Sequence, residues 1–142
     1  MKKIIHLMST NAFSGAENVA CQIINGFRND KEISMIYVSE IKSNKKSLDE
    51  RNIEYYEIKK FNLFNLRNAI NDIKPNIIHA HDVKASILAT FFCKKAKIIS
   101  HIHANHENMR KLNIKTFLYN FVSKKFSKII WISQSAFEGA RM

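Results

Sequence analysis

The sequence has few of the residues that break or cross-link a chain, with three glycines, one proline and two cysteines among 142 residues. So little glycine and proline excludes a collagen-like or linker-dominated chain, and an apolar content of 46% excludes a disordered tail. Two distant cysteines, Cys21 and Cys93, exclude a disulfide framework and favour a reducing cytoplasm. Because 142 residues are too few for two complete domains, we expect one globular domain.

Long apolar runs are also lacking, and none approaches the ~20 residues that cross a bilayer. The hydrophobic stretch after Lys3 is broken at His6 and is too short for a secretory signal. Acidic residues are scarce in the second half of the chain, where Glu107 is the only acid between positions 83 and 137, against ten basic residues. The net charge of +11 therefore favours an anionic partner, which is nucleic acid, a phosphorylated ligand or an anionic membrane surface.

What the sequence does contain is a regular alternation of β-prone apolar runs with segments whose apolar residues have helical spacing. Ser14 and Glu17 have the spacing of a capping box, which predicts a helix from Gly15, and Asn52 is placed for a left-handed helix end. The predicted strands are 3–8, 33–38, 53–58, 76–81, 98–103 and 128–133, and further helices are predicted at 45–51, 63–73, 83–95 and 113–124 and from 134. This order predicts a Rossmann-like α/β fold, with a parallel sheet of about six strands and helices on both faces.

In such a sheet, ligands bind beyond the carboxyl ends of the strands. The first strand is followed by a polar loop that ends at Ser14 and Gly15, where a helix begins. Free N–H groups at a helix start, with a glycine that permits close approach, form an anion site. The alternative is that Gly15 only begins a capped helix. The chain has neither glycine-rich nucleotide motif, which argues against dinucleotide binding and P-loop hydrolysis.

Two histidine-rich motifs end neighbouring predicted strands, His79-Ala80-His81-Asp82 and His101-Ile102-His103. Residues two apart on a strand share a face, so each pair of imidazoles points the same way. Four imidazoles together can hold a metal ion, but only Asp82 and Glu107 supply carboxylates nearby, fewer than a two-metal hydrolase needs. The alternative is structural, with His79 and His101 as the deeper member of each pair, packed under helices.

The predicted helix 113–124 has apolar residues at helical spacing, which predicts that one face packs on the sheet. These residues are Ile114, Phe117, Leu118, Phe121 and Val122. Basic residues surround them without an acid, a combination that also fits contact with an anionic membrane surface. The candidate residues for that contact are Met109, Arg110, Lys111, Leu112 and Lys115. A solvated basic rim around an ordinary core helix is the alternative.

Four segments, in this order and spacing, resemble the amino-terminal half of the GT-B-fold glycosyltransferases, the retaining family 4 group that builds bacterial capsule, lipopolysaccharide and related glycans. They are Ser14-Gly15-Ala16-Glu17, Pro75-Asn76-Ile77-Ile78-His79-Ala80-His81, Ser100-His101-Ile102-His103 and Ile130-Trp131-Ile132-Ser133. The resemblance covers the whole chain. It implies that residues 1–142 form the acceptor-side domain, that a second, nucleotide-sugar-binding domain is absent, and that this chain alone transfers no sugar.

The same resemblance implies roles for individual residues. Ser14, Gly15 and Ala16 would face the phosphates of the donor, and His103 would be the catalytic residue that hydrogen-bonds the transferred sugar. Asn11, His81, Asp82 and Asn105 would line the acceptor cleft, and Ser133 would cap the last helix. Family members often carry two glycines where this chain has Ser14-Gly15.

The implied reaction moves a hexose from a UDP- or GDP-sugar to a glycan or lipid-linked glycan, with retention of configuration. It needs no metal and no cofactor, since the nucleotide-sugar is a substrate. We expect the protein in the cytoplasm, with peripheral contact to the inner face of the cell membrane.

Two other functions stay open. One is a metal-dependent hydrolase that uses the two histidine-rich motifs and Asp82. The other is a non-enzymatic module that binds an anionic partner through the basic second half. Nucleic acid is the less favoured partner, because the aromatic residues there follow helical spacing and do not alternate with basic residues as stacking platforms do.

Overall fold

The computed structural model describes residues 1–93, 95–103 and 113–139. Six strands of this part of the chain form one sheet: β1 (Lys2–Leu7), β2 (Ile33–Ser39), β3 (Tyr55–Glu57), β4 (Ile77–Ala80), β5 (Lys97–Ile102) and β6 (Lys128–Trp131). Every neighbouring pair is parallel, and the strand order is β3-β2-β1-β4-β5-β6. The predicted Rossmann-like parallel sheet of six strands is confirmed.

Six helices of the described residues connect or follow these strands: α1 (Gly15–Gly26), α2 (Lys45–Glu50), α3 (Leu63–Ile73), α4 (Val83–Phe92), α5 (Ile114–Ser123) and α6 (Gln134–Gly139). A 3₁₀ turn, Lys42–Asn44, precedes α2. The predicted start of α1 and both ends of α3 are confirmed, whereas α4 ends three residues before its predicted end, because Cys93 leaves the helical conformation. None of these helices is long and apolar enough to cross a membrane.

Polar side chains fix where several helices begin and end. The side chains of Asn62, Asp82 and Asn113 accept hydrogen bonds from backbone N–H groups in the first turns of α3, α4 and α5, respectively. Asn52 has the predicted left-handed conformation, with φ 51°, and Lys74 ends α3 with φ 53°. These local signals set the boundaries of the crossover helices and therefore the positions of the strand ends between them.

The strands alternate their side chains between two covered faces. One face packs apolar strand residues against α3 and α4, in a cluster that includes Ile5, Leu7, Val38, Ile78, Leu66 and Ala85. The other face packs against α1 and α2 through a second cluster, which includes Met8, Tyr37, Ala20, Ile24 and Leu48. Helices therefore cover both faces of the sheet, as the alternation of elements predicts.

Helix α5 does not bury the face that its apolar spacing predicts. Its inward residues are Thr116, Tyr119 and Val122. The Tyr119 hydroxyl is 2.8 Å from the Ser100 hydroxyl of β5, so a buried polar partner selects this face. Of the predicted stripe only Val122 is buried; Ile114, Phe117 and Phe121 are 80%, 70% and 69% exposed, and Leu118 is 36% exposed. We call these four residues the exposed face of α5.

Candidate functional site

The five histidines of the described residues lie on one face of the sheet, at the carboxyl ends of three adjacent strands. His6 of β1 pairs in register with His79 of β4, and His101 belongs to β5. Residues two apart on a strand share a face, so His81 continues the row after β4 and His103 continues it after β5. We call His6, His79, His81, His101 and His103 the histidine block.

Three rings of the histidine block form a hydrogen-bonded chain. Nδ1 of His6 is 2.9 Å from Nε2 of His81, and Nδ1 of His81 is 2.9 Å from Nε2 of His103. The ring planes of these two pairs differ by only 28° and 23°. The three rings therefore meet edge to edge and run from the interior of the sheet to its end.

The rings of His79 and His101 lie against these three hydrogen-bonded rings. Nε2 of His79 is 3.1 Å from Nδ1 of His101, with 16° between the ring planes. The centroid of His79 is 4.3 Å from that of His81, and the centroid of His101 is 3.9 Å from that of His103. The histidine block is thus two layers of imidazoles, each held by its own hydrogen bonds.

The burial of these rings differs from the sequence-based expectation. His6 and His81 are the deepest, with 0% and 1% of their surface exposed, whereas His79 is 8% exposed and His101 is only partly buried. The expectation that His79 is the deeper member of its pair, packed under a helix, is wrong, whereas His101 and His103 are both partly buried. His81 is deeper because its ring lies between those of His6 and His103.

Burial keeps these imidazoles neutral. It lowers the pKa of His6 to about 3 and the pKa of both His79 and His101 to about 4, and it holds the pKa of His81 well below 6.5. Burial also lowers the pKa of His103, against the opposing effect of the Glu17 and Asp82 carboxylates. At neutral pH the block therefore carries no charge, and each ring has one proton and one lone pair.

Two sets of three histidines have nitrogen atoms close enough to share a metal ion. They are His6, His79 and His81, and His81, His101 and His103, with ligand atoms within 4.8 Å of one another. Neutral imidazole suits zinc, copper and nickel, but neither set, among the described residues, includes a carboxylate. The hydrogen bonds direct many of these nitrogens at neighbouring rings, so metal binding would have to break them.

Asp82 connects the ends of two strands. Its carboxylate accepts hydrogen bonds from the backbone N–H and the hydroxyl of Ser9, and from the backbone N–H of Ala85 in α4, each at 2.8 Å. These bonds fix the loop after β1 against the start of α4. Asp82 therefore lies at the predicted edge of the sheet, with both carboxylate oxygens engaged.

The start of α1 lies at the same edge. The backbone N–H of Ser14 donates to Glu17 at 2.9 Å, and the hydroxyls of Ser14 and Thr10 donate to the same buried carboxylate. This confirms the predicted capping role of Glu17. Because β1, β4 and β5 are adjacent parallel strands, the starts of α1 and α4 and the end of β5 lie at the same edge of the sheet, where the Glu17 and Asp82 carboxylates oppose the lowering of the His103 pKa.

Gly15 borders open space. A Cβ atom added there would meet no atom within 4 Å, and the residue does not have a positive φ. Neither packing nor backbone conformation thus requires glycine at this position. The first N–H groups of a helix lack intrahelical acceptors, so Gly15 and Ala16 present donors at an unobstructed surface.

The remaining predicted site residues are placed as follows. Asn11 is exposed, and its carbonyl accepts a hydrogen bond from the Ser43 hydroxyl. Lys115 is exposed on α5. The Ser133 hydroxyl accepts a hydrogen bond from the backbone N–H of Ala136 at 3.1 Å, which confirms that Ser133 caps the last helix. Asn105, Met109, Arg110, Lys111 and Leu112 lie outside the described residues.

Sequence reasoning missed His6, Ser9 and Thr10. In the sequence His6 only interrupts an apolar run, yet in the structure it is the buried end of the row of hydrogen-bonded histidines. The available signal was a single imidazole within a strand otherwise made of buried apolar residues. The sequence identifies Ser9 and Thr10 only as loop residues, although their hydroxyls donate hydrogen bonds to the carboxylates of Asp82 and Glu17.

A sequence model of the glycosyl transferase 4-like family matches residues 4–135. The chain belongs to this family. No curated protein matches the chain. Among solved structures, it is similar to Anabaena HepE in complex with UDP, with a TM-score of 0.77 and 14% identity over 98% of this chain and 40% of HepE.

Two further structures show the same fold for this glycosyl transferase 4-like domain. A glycosyltransferase from Rickettsia africae has a TM-score of 0.67 and 18% identity, over 96% of this chain and 38% of the other. Acinetobacter baumannii MurG has a TM-score of 0.61 and 8% identity, over 92% of this chain and 41% of MurG. The chain thus spans about 40% of the length of these GT-B structures.

Proposed function

We propose that this chain is the acceptor-side domain of a retaining glycosyltransferase that uses a nucleotide-sugar and acts in the synthesis of bacterial surface glycans, such as capsule or lipopolysaccharide. The observation that carries the proposal is that His103 and the open start of α1 lie at the same edge of the sheet, in a chain of the glycosyl transferase 4-like family. HepE, which has the same fold, is described in complex with UDP and with UDP-glucose.

The chemistry of the proposed reaction matches the groups at this edge. Breaking the bond between a sugar and a nucleoside diphosphate leaves an anion, which backbone N–H groups at a helix start stabilise. Gly15 and Ala16 would provide these donors, and His103 would hydrogen-bond the transferred sugar. The Glu17 carboxylate lies at the same helix start, so the phosphates would have to approach on the open side of Gly15.

The acceptor would enter from the loops after β1 and β4. Asn11 and Asp82 are at this edge, as is the proposed cleft residue His81, whose two ring nitrogens are both hydrogen-bonded. His81 would therefore support His103 and not bind the acceptor through its ring nitrogens. The proposed acceptor is a glycan or lipid-linked glycan.

In this proposal, catalysis requires a second domain that binds the nucleotide of a UDP- or GDP-sugar. GT-B enzymes of this kind enclose the donor between two domains, and this chain spans only about 40% of the similar structures. We accordingly propose that the 142 residues alone transfer no sugar. We also propose that the reaction needs no metal and that the protein works in the cytoplasm.

Two glycines of α1 provide a matched test. Gly15 and Gly26 both border open space, and neither has a positive φ, so alanine is tolerated structurally at either position. In the enzyme that joins this domain to its nucleotide-sugar domain, Gly15→Ala should lower kcat/KM for the nucleotide-sugar roughly tenfold or more, by displacing the phosphates. Gly26→Ala should leave it unchanged. Equal activity of the two variants would refute the proposed phosphate site.

A second proposal concerns the membrane. The exposed face of α5 presents Phe117 and Phe121, and the basic residues Lys115, Lys124 and Lys125 are exposed beside or just after it. Aromatic and basic residues on one helix favour the interface of an anionic bilayer. We propose that α5 holds the domain against such a surface, where a lipid-linked acceptor would be available.

A further inference from the structure

A cavity of about 840 Å³ lies at the edge of the sheet opposite the histidine block. Its lining comes from the ends of α3 and α4 and from the segments that lead into β4 and β5. These strands are parallel, so their starts and their ends lie at opposite edges of the sheet. We call it the basal cavity and define it by Arg67, Lys74, Asn76, Phe91, Phe92 and Lys95. Its volume suits a small organic ligand.

The wall of the basal cavity that α3 forms is cationic. Arg67, Asn71 and Lys74 recur at helical spacing and line the cavity from one face of α3. No acidic residue of the described chain lines the cavity. The nearest acid in sequence, Asp72, is engaged elsewhere, because its carboxylate accepts a hydrogen bond of 2.6 Å from the Tyr56 hydroxyl of β3. The charge of this wall is therefore not balanced from within the cavity.

The three cations of the cavity also lack partners elsewhere in the fold. Within the ranges that the structure describes, Arg67, Lys74 and Lys95 form neither an ion pair nor a side-chain hydrogen bond. Lysines near a helix end often bind the free carbonyl groups there. At the end of α3 this role belongs to Lys3, whose Nζ donates to the Ile73 carbonyl at 3.4 Å. The cations of the cavity are thus available to an added anion.

The wall of the cavity that α4 forms is aromatic. Phe91 and Phe92 end this helix, and Phe91 is 56% exposed. Ile70 and Pro75 extend the apolar lining and are themselves buried. Apolar surface that is exposed in a cavity gains free energy when a ligand removes it from water. The two walls therefore favour different parts of one ligand.

Hydrogen bonds fix the floor of the cavity at Asn76. Its backbone N–H donates to the Lys3 carbonyl at 2.8 Å, and its carbonyl accepts from the Lys97 N–H at 3.0 Å. The side-chain oxygen of Asn76 accepts from the Lys3 N–H at 2.8 Å. These bonds hold the floor in place without a ligand, which lowers the entropy cost of binding.

We propose that the basal cavity binds a small amphipathic anion, with its phosphate or carboxylate on Arg67, Lys74 and Lys95 and its apolar body on Phe91 and Phe92. A purely apolar ligand would leave three cations without an anion, and an inorganic anion would leave the aromatic wall in water. Soluble phosphate esters and acidic lipids share this chemistry. The site lies opposite the proposed transfer site, and its occupation does not depend on sugar transfer.

Calorimetric titration of the 142-residue chain tests the site with two probes. They are naphthyl phosphate, a soluble aryl ester, and dihexanoyl phosphatidic acid, a short-chain acidic lipid. We expect saturable binding with a Kd below about 1 mM for at least one of them. Inorganic phosphate and naphthol should each bind roughly tenfold more weakly or worse, because each contacts one wall only. The tighter probe identifies the source of the ligand, and saturable binding of neither would overturn the proposal.

A double variant tests the cationic wall. Arg67→Gln with Lys74→Asn should raise the Kd of the bound probe roughly tenfold or more. Asparagine is used because Lys74 has φ 53°, a left-handed conformation that asparagine tolerates. The matched control is Lys59→Gln with Lys60→Gln, which removes the same charge from exposed residues before α3 and should change the Kd less than about twofold. Equal weakening in both would indicate an effect of net charge alone and overturn the site.

A single variant tests the aromatic wall. Phe91→Ser should raise the Kd of the bound probe roughly fivefold or more and leave the weak binding of inorganic phosphate unchanged. Phe64→Ser is the control, because Phe64 is 71% exposed and does not line the cavity, and it should keep the wild-type Kd. Equal Kd values for the two variants would contradict the aromatic contact.

The wild type supplies a test that no folding defect can obscure. In ¹H–¹⁵N spectra, the bound probe should shift the backbone amides of Asn76 and Ala96 at the cavity and leave those of His81 and Ser9 at the opposite edge unchanged. Shifts confined to the opposite edge would overturn the proposal. Because the readout is binding, an enzyme that transfers no sugar would refute the proposed function and leave this site intact.

Discussion

The carboxylate of Asp82 holds Ser9, which is 73 residues away in sequence, by two hydrogen bonds of 2.8 Å. The backbone N–H of Ser9 reaches one oxygen and its hydroxyl reaches the other. Since the same carboxylate caps α4 through Ala85, one side chain joins the loop after β1 to the helix after β4. This junction lies beside the histidine block and fixes the edge at which the proposed cleft opens.

Removing the charge of Asp82 should destabilise the fold. Asp82→Asn weakens three hydrogen bonds, and we expect the free energy of unfolding in urea to fall by about 1–3 kcal/mol. Asp72 offers a control, because its carboxylate accepts from the Tyr56 hydroxyl on the surface, and Asp72→Asn should cost less than about 0.5 kcal/mol. Similar losses in the two variants would show that the junction adds no stability.

The histidine block should make the fold sensitive to acid. His79 and His101 have a pKa of about 4 in the folded chain, against about 6.5 when unfolded. Above pH 6.5 these two rings are neutral in both the folded and the unfolded chain. Between pH 6.5 and 4 the unfolded chain binds protons that the folded chain does not, so stability falls as pH falls, by at most about 1.4 kcal/mol per pH unit for each such histidine.

Urea denaturation between pH 7.5 and 4.5 measures this dependence. His79→Gln should show a shallower loss of stability with acid than the wild type, because one such ring is removed. A control, Asp72→Asn, should keep the wild-type slope above pH 5. A stability independent of pH over this range would mean that the rings are protonated equally in both states.

Phe117 on the exposed face of α5 provides a test of membrane contact. Phe117→Ser should reduce co-sedimentation with vesicles that contain phosphatidylglycerol roughly fivefold or more, because apolar area is lost from the proposed contact. The matched control is Phe64→Ser on α3, because Phe64 is 71% exposed and Phe117 is 70% exposed. Equal losses in both variants, or equal binding to neutral and anionic vesicles, would contradict the proposal.

The sheet was predictable because its signals are local. Apolar runs and helical spacing locate the strands, and the capping pair of Ser14 and Glu17 marks the start of α1. The inward face of α5 was not predictable in this way. Hydropathy predicts that Phe117, and not Thr116, faces the sheet. In the structure the hydroxyl of Tyr119 has a buried hydrogen-bond partner in Ser100, which lies on a strand distant in sequence.

The histidine site was predictable only in part, for a similar reason. Each His-x-His motif shows a shared face within its own strand. The place of His6 depends on strand order, because β1 lies between β2 and β4 and brings His6 into register with His79. No spacing within one segment contains that information.

The most direct test of the account is steady-state sugar transfer by the enzyme that joins this domain to its nucleotide-sugar domain, with and without His103→Ala. If His103 contacts the sugar as its bond to the diphosphate breaks, kcat should fall on the order of 100-fold while the Kd of the nucleotide-sugar changes little. Unchanged kcat in a folded His103→Ala enzyme would contradict the central claim that this sheet edge forms one wall of the transfer site.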